Sequence, residues 1–298
     1  MKPIVAIPSA GEMGAALAAQ LTARGVTVLT RLEGRSEANR RRADLAGMTS
    51  AKDDDQLLDA DFLLSVLPPA HATGFARRIA PALIRAPRRP LYVDCNAVSP
   101  DTALGIAKII EENGGRFVDA SIIGFPAKPG ATGGPKIFAS GPLAAELQVL
   151  GAYGLDIRVL DAPVGSASSL KMCYGGLTKG LVALGSALIL AAQRNGSTDA
   201  LRAELQATQP HLFAWLQRMV PDMFRKSHRW VAELDEVAAL MGDRAEHEIF
   251  AGASGLFERL AADEHGEQAE IDVLSTFFAR LQDDDRDAMH HVRSPNWT

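Results

Sequence analysis

The 298-residue sequence has only two cysteines, Cys95 and Cys173. Two thiols are too few for a disulfide framework and lack the spacing of a metal site, so a reducing, cytoplasmic setting is expected. Positive charge is not in excess either: 31 Lys and Arg stand against 36 Asp and Glu, a formal charge of -5. That balance leaves no electrostatic footprint for nucleic acid or an anionic membrane, and neither is expected as a partner. The most apolar run, GLVALGSALILAA at 180–192, is shorter than the ~20 residues that cross a bilayer and is expected to be a buried helix. The opening MKPIVAIPSA carries one Lys before a short apolar run that leads into a glycine loop, and it reads as a strand rather than a signal peptide. No internal repeat or low-complexity tract is present. What is present is an ordinary globular balance, 47% hydrophobic and 22% charged, on a chain long enough for two domains.

Up to about residue 160 short β-rich runs alternate with amphipathic segments, the pattern of a mostly parallel sheet flanked by helices. The expected strands are PIVAIP, TVLT, DFLLSVL, PLYVDCN, RFVDASI, KIFASG and IRVLD. Helices are expected over 12–24, 36–46 and 101–113, the last capped by Ser99 with Pro100 in its first turn. From 167 onward strand signals fade into Ala-, Leu-, Glu- and Arg-rich runs, so an all-helical region follows. The expected fold class is α/β: a doubly wound Rossmann domain, 1–162, then an all-α substrate-binding and dimerisation domain, 163–298, with the tail RSPNWT loose at the surface.

The stretch AIPSAGEMGAAL has the spacing of a dinucleotide loop, with Ser9, Gly11 and Gly14 at the three glycine positions and Ala10, Glu12 and Met13 between them. A β-carbon at Gly11 would hold a phosphate away from the backbone, and Gly14 lets the helix pack close to the sheet. Ser9 departs from the pattern but holds the turn if its backbone needs no positive φ. At the end of the second strand, TVLTRLEGRS puts Thr30, Arg31, Arg35 and Ser36 where an NADP site carries small polar and cationic groups. NADP is therefore expected, with NAD left possible by Glu33. The alternative is that these arginines form a solvated face with Arg40, Arg41 and Arg42.

Together with the loop, the motifs LLSVLPP, DCNAVSP, FVDASIIGFP and SSLKMCYGGLTKG follow in order over residues 4–195, and the set resembles the β-hydroxyacid dehydrogenase and 6-phosphogluconate dehydrogenase-like superfamily. HRWVAELDEVAALM resembles the uncharacterised helical C-terminal domain of one branch. The resemblance implies that Leu67 and Pro68 line the cofactor cleft and that Asn96 lies by the nicotinamide, in the place of a family Ser or Thr. It also implies an active site in the cleft between the halves, where Lys171 is acid or base on the substrate oxygen. An ammonium within reach of a carbonyl being reduced stabilises the charge developing on oxygen and supplies its proton. Each residue has a plainer alternative: a strand end for LPP, a turn for Asn96, a solvated side chain for the lysine.

Two departures from the family bear on substrate. Ile123 replaces the clamp serine and Phe125 a glycine, and Tyr174 and Gly175 stand where an Asn commonly follows the lysine. Ordinary short hydroxyacids are therefore doubtful, and substrate contacts are expected from Ser99, Gly124, Tyr174 and Thr178, with Lys179 on the same helix face. A helix cap and a tight turn are the alternatives for Ser99 and Gly124, and His228, Arg229 and Glu233 read as a solvated face. His290 and His291 lack further spaced ligands, so no metal is expected. The expected activity is hydride transfer between a nicotinamide cofactor and a hydroxy or carbonyl small molecule, in a homodimer formed through the apolar stripe 176–192. An imine reductase-like enzyme and a non-catalytic NADP(H)-binding sensor remain the alternatives.

Overall fold

The computed structural model describes residues 2–86, 88–127 and 133–279; the His290–His291 pair and the tail 293–298 lie outside them. The first unit runs β1 (Ile4–Ala6), α1 (Glu12–Thr22), β2 (Thr27–Thr30), α2 (Glu37–Leu45), β3 (Thr49–Ser50), α3 (Asp54–Leu57), β4 (Phe62–Ser65), α4 (Pro69–Arg85), β5 (Leu91–Asp94), α5 (Pro100–Glu112), β6 (Arg116–Ile123), β7 (Lys136–Ser140), a 3₁₀ segment (Ala144–Tyr153) and β8 (Asp156–Val159). The strands form one sheet in the order β3-β2-β1-β4-β5-β6-β7-β8. All neighbouring pairs are parallel except β6 with β7.

Strand residues alternate between two cores. Val5, Val28, Leu64, Val93 and Val118 pack with Leu17 and Leu21 of α1 and with the 3₁₀ segment, whereas Ala6, Leu29, Leu63, Tyr92 and Phe117 pack with α4 and α5. Burying a side chain such as Leu17 or Leu63 contributes roughly 1.5–3 kcal/mol each. Every expected run forms a strand. The two-residue β3 is too short to carry a pattern, and α4 starts on the same Pro68–Pro69 pair that ends the preceding strand segment, because proline suits a first helical turn.

The helical part begins with α6 (Ser166–Arg194), followed by α7 (Thr198–Thr208), α8 (Pro210–Phe224), α9 (Ser227–Met241), α10 (Glu246–Glu264) and α11 (Ala269–Ala279). Its core joins Val182, Ala183, Ile189 and Leu190 of α6 to Phe213, Trp230, Phe257 and Phe277. The 29 residues of α6 are, by length and composition alone, enough to cross a membrane, which the 13-residue apolar run did not suggest. Nor is that run fully buried: Leu181, Leu184 and Leu188 are exposed, as is Leu177 one turn earlier. The two compact units divide inside α6, between Cys173 and Tyr174, whereas the change in composition suggests 162/163.

Candidate active site

The glycine loop has the geometry that an anion needs. Gly11 caps α1 with φ -62° and ψ 171°, and no side chain caps the helix, so its first N–H groups are left for another acceptor. A Cβ built on Gly11 meets nothing within 4 Å, whereas one on Gly14 would stand 2.6 Å from the Ser9 carbonyl oxygen and 3.1 Å from Ile7. Gly11 thus faces open space, and Gly14 allows the helix to pack on the strand. Ser9 has no positive φ, which is why serine serves in the first glycine position. Arg42, grouped with the solvated arginines in the alternative reading, instead donates from Nε to the Ala10 carbonyl at 2.9 Å and ties the loop to α2.

A cavity of about 580 Å³ opens beside the loop. Of the candidate cofactor contacts, Ser9, Gly11, Glu12, Met13, Gly14, Arg35, Leu67 and Pro68 line it; Ala10 is buried. Asn39, Val66, Ala70, His71, Gly74, Phe75 and Arg78 join the wall, and most of them lie on α4, the helix that no sequence signal marked. Arg78 is held by Asp54 at 2.9 Å and lies 5.2 Å from the Phe75 ring centre. The site fits a dinucleotide: uncapped amides and a cradle at Gly11, with a cationic side chain at Arg35.

Three residues expected at the ribose end do not line the cavity. Thr30 is fully buried, with its Oγ1 unpartnered among the described residues. Arg31 donates to the carbonyls of Ala51 and Lys52 and pairs with Glu33, so the acid that argues against NADP and the arginine that argues for it neutralise each other. Neither lines the cavity. Ser36 accepts from the Asn39 N–H and caps α2.

Asn96 is buried and spends its side chain on the fold. It donates to Ser65 Oγ at 2.9 Å and to Asp94, while its Oδ1 accepts from the Leu67 N–H at 2.7 Å. It therefore fixes the Leu67–Pro68 wall from behind. Asp94 has no partner on Oδ2 among the described residues; burial pushes its carboxyl up to about 7, against the hydrogen bonds from Asn96 and with the Asp119 charge adding to the rise. Burial likewise lifts the neighbouring Cys95 thiol, Asp94 adding to that rise, and the Lys171 charge is close enough to oppose it. Lys171 is half-buried, and its charge acts at the carboxyl end of β5, the edge of the sheet at which the glycine loop also follows its strand.

The expected substrate contacts each have their own local surroundings. Ser99 caps α5 through the Thr102 N–H at 3.2 Å. Gly124 turns the chain with φ +125°, its missing Cβ leaving room for Pro135. On α6, Tyr174 is exposed, and the Thr178 hydroxyl donates to the carbonyls of Tyr174 at 3.0 Å and Gly175 at 3.1 Å. Lys179 pairs with Glu233 at 2.7 Å and lies 5.7 Å from the Trp230 ring centre, so the Glu233 surface is structured rather than merely solvated.

Sheet order, uncapped α1 and an open glycine together define a dinucleotide-binding α/β protein. Residues 5–153 match the NAD binding domain of 6-phosphogluconate dehydrogenase, and residues 192–260 match a domain of unknown function, DUF1932. The chain belongs to this 6-phosphogluconate dehydrogenase-like family. It is 32% identical over 229 residues to an uncharacterized 28.5 kDa protein in the 7S RNA 5' region of Methanothermus fervidus, covering 76% of this chain and 86% of that one. Among solved structures it is similar to a conserved protein of unknown function whose structure reveals similarity with 3-hydroxyacid dehydrogenases, with 31% identity, 88% and 97% of the two chains covered, and a TM-score of 0.73. Mycobacterium tuberculosis 3-hydroxyisobutyrate dehydrogenase shares the fold, with 18% identity, 94% and 100% coverage and a TM-score of 0.70. Family and fold are those of an NAD(P)-binding, hydroxyacid dehydrogenase-like oxidoreductase.

Proposed function

We propose that the protein is an NADPH-preferring dehydrogenase or reductase acting on a hydroxy or carbonyl small molecule, with Lys171 as general acid and base. A nicotinamide cofactor, when bound, supplies or accepts the hydride. The α1 amides and Gly11 would hold its pyrophosphate, Arg35 and Asn39 would take a 2′-phosphate, and the α4 wall would help exclude water. In reduction the Lys171 ammonium hydrogen-bonds the substrate oxygen and gives it a proton; in oxidation the neutral amine removes that proton. The observation that supports this reading most is the open cradle at Gly11, beside uncapped α1 amides and a cavity of about 580 Å³ that Arg35, Leu67 and Pro68 also line.

The half-apolar end of β6, with Ile123 half-buried and Phe125 exposed, favours substrates less polar than short hydroxyacids. The working form is a cytoplasmic homodimer closed through Leu177, Leu181, Leu184 and Leu188, whose three- and four-residue spacing makes one apolar stripe. The test is NADPH and NADH binding together with turnover on aldehydes, ketoacids and imines. Consumption of NADPH on carbonyl compounds is the expected result. Turnover confined to imines, or tight binding with no turnover anywhere, rejects it.

A further inference from the structure

Asp119 carries no expectation from sequence, yet its carboxylate is the best-satisfied buried charge near Lys171. It is fully buried on β6, in register with Asp94 on β5. Its Oδ2 accepts from the backbone N–H groups of Gly165 at 2.9 Å, Ala167 at 3.0 Å and Ser168 at 3.1 Å, and from the Ser140 hydroxyl at 2.9 Å. Its Oδ1 accepts from the Ser168 hydroxyl at 2.7 Å. The first N–H groups of a helix have no acceptor within the helix, and here they converge on one ionised oxygen. The helix dipole favours that charge, and the ring of donors offsets its loss of water.

This differs from an ordinary cap. Ser36 and Ser99 each cap a helix from the residue just before it, whereas Asp119 reaches α6 from a central strand. It grips Ser168 at both its N–H and its hydroxyl, and Lys171, three residues on, shares that helix face. We infer that Asp119 is the positioning residue for Lys171: by locking the start and rotation of α6 onto β6, it sets where the amine stands at the carboxyl edge of the sheet. The inference rests on the reading of Lys171 as the acid and base.

The test treats the full-length protein with an amine-labelling reagent and resolves Lys171 from the exposed Lys108 by peptide mass mapping, in wild type, D119N and S168A. NADPH titrations run in parallel. Lys171 is expected to label more slowly than Lys108 in wild type. In D119N its rate rises to within about twofold of Lys108, and S168A, which loses the Oδ1 bond alone, moves part of the way, while NADPH affinity stays within about twofold. An unchanged ratio in both variants overturns the inference, as does a rise in labelling accompanied by loss of NADPH binding, which marks a loosened fold. Should D119N fail to fold, S168A decides by the same ratio. A K171M protein that keeps its NADPH consumption on the carbonyl and imine panel removes the catalytic reading of Lys171 but leaves the labelling ratios as they are.

Discussion

The glycine loop and the carboxyl ends of β5 and β6 lie along the same edge of one sheet, yet they are built differently. The loop is backbone: Gly11 offers empty space, Gly14 offers closeness, and the groups that meet an anion are amides every residue possesses. The end of β5 and the stretch of β6 beside it rely on side chains: Asp94 with Asn96, and Asp119 with Ser168 of α6, form two buried hydrogen-bonded groups whose positions depend on specific atoms. A backbone site tolerates a small substitution such as Ser9 wherever φ allows. A buried polar site does not, because each lost partner leaves another group unsatisfied.

The sharpest contrast comes from the residue between these two constructions. Lys171→Met is expected to lower turnover by about 10²–10⁴ while NADPH affinity changes less than about twofold, as read from steady-state rates and fluorescence titration. Asp94→Asn probes the buried side. The folded Asp94 keeps its proton up to about pH 7, whereas the unfolded chain loses it near about pH 4. The wild-type protein therefore loses stability as pH rises between those values, and the cost is complete above the upper one. D94N keeps an oxygen for Asn96 and has no proton to lose, so thermal melts should show it gaining up to a few kcal/mol over wild type from pH 5 to pH 8.5. A constant difference between the two proteins across that range would separate Asp94 from the titration.

Two glycine substitutions probe the backbone side, and they should part company. Gly14→Ala forces a carbon against the Ser9 carbonyl and is expected to cost about 1–3 kcal/mol in a denaturant melt. Gly11→Ala meets no protein atom, so the melt stays within about 0.5 kcal/mol while NADPH affinity falls about tenfold. Equal effects in both assays would mean that the open space at Gly11 is not the phosphate cradle. Arg35→Ala refines the ribose end: NADPH affinity falls about tenfold and NADH affinity holds, because only the former carries the 2′-phosphate.

The two constructions also differed in how far the sequence disclosed them. Ser9, Gly11 and Gly14 were legible because a strand, a tight turn and a helix start impose a fixed spacing on small residues. Sheet residues were legible because alternation reports which face is buried. Pro68–Pro69 reads in sequence only as a strand end, since proline stops a ladder and starts a helix equally well, and the His71, Phe75 and Arg78 wall on α4 is hidden with it. Arg31 and Arg35 look alike in sequence, and only the carbonyls of Ala51 and Lys52, distant along the chain, distinguish the tethered one from the one that lines the cavity. Asp119 is not legible even within the FVDASIIGFP motif, because its backbone partners lie more than forty residues downstream at the start of α6 and no local pattern announces a helix cap supplied by a strand.

A dinucleotide held at Gly11 is expected to bring its nicotinamide to Lys171, and amine labelling under NADPH saturation tests this without knowledge of the substrate. Saturating NADPH is expected to slow labelling of Lys171 severalfold and to leave Lys108 unchanged. NADPH bound at saturation with Lys171 labelled at its original rate would contradict it.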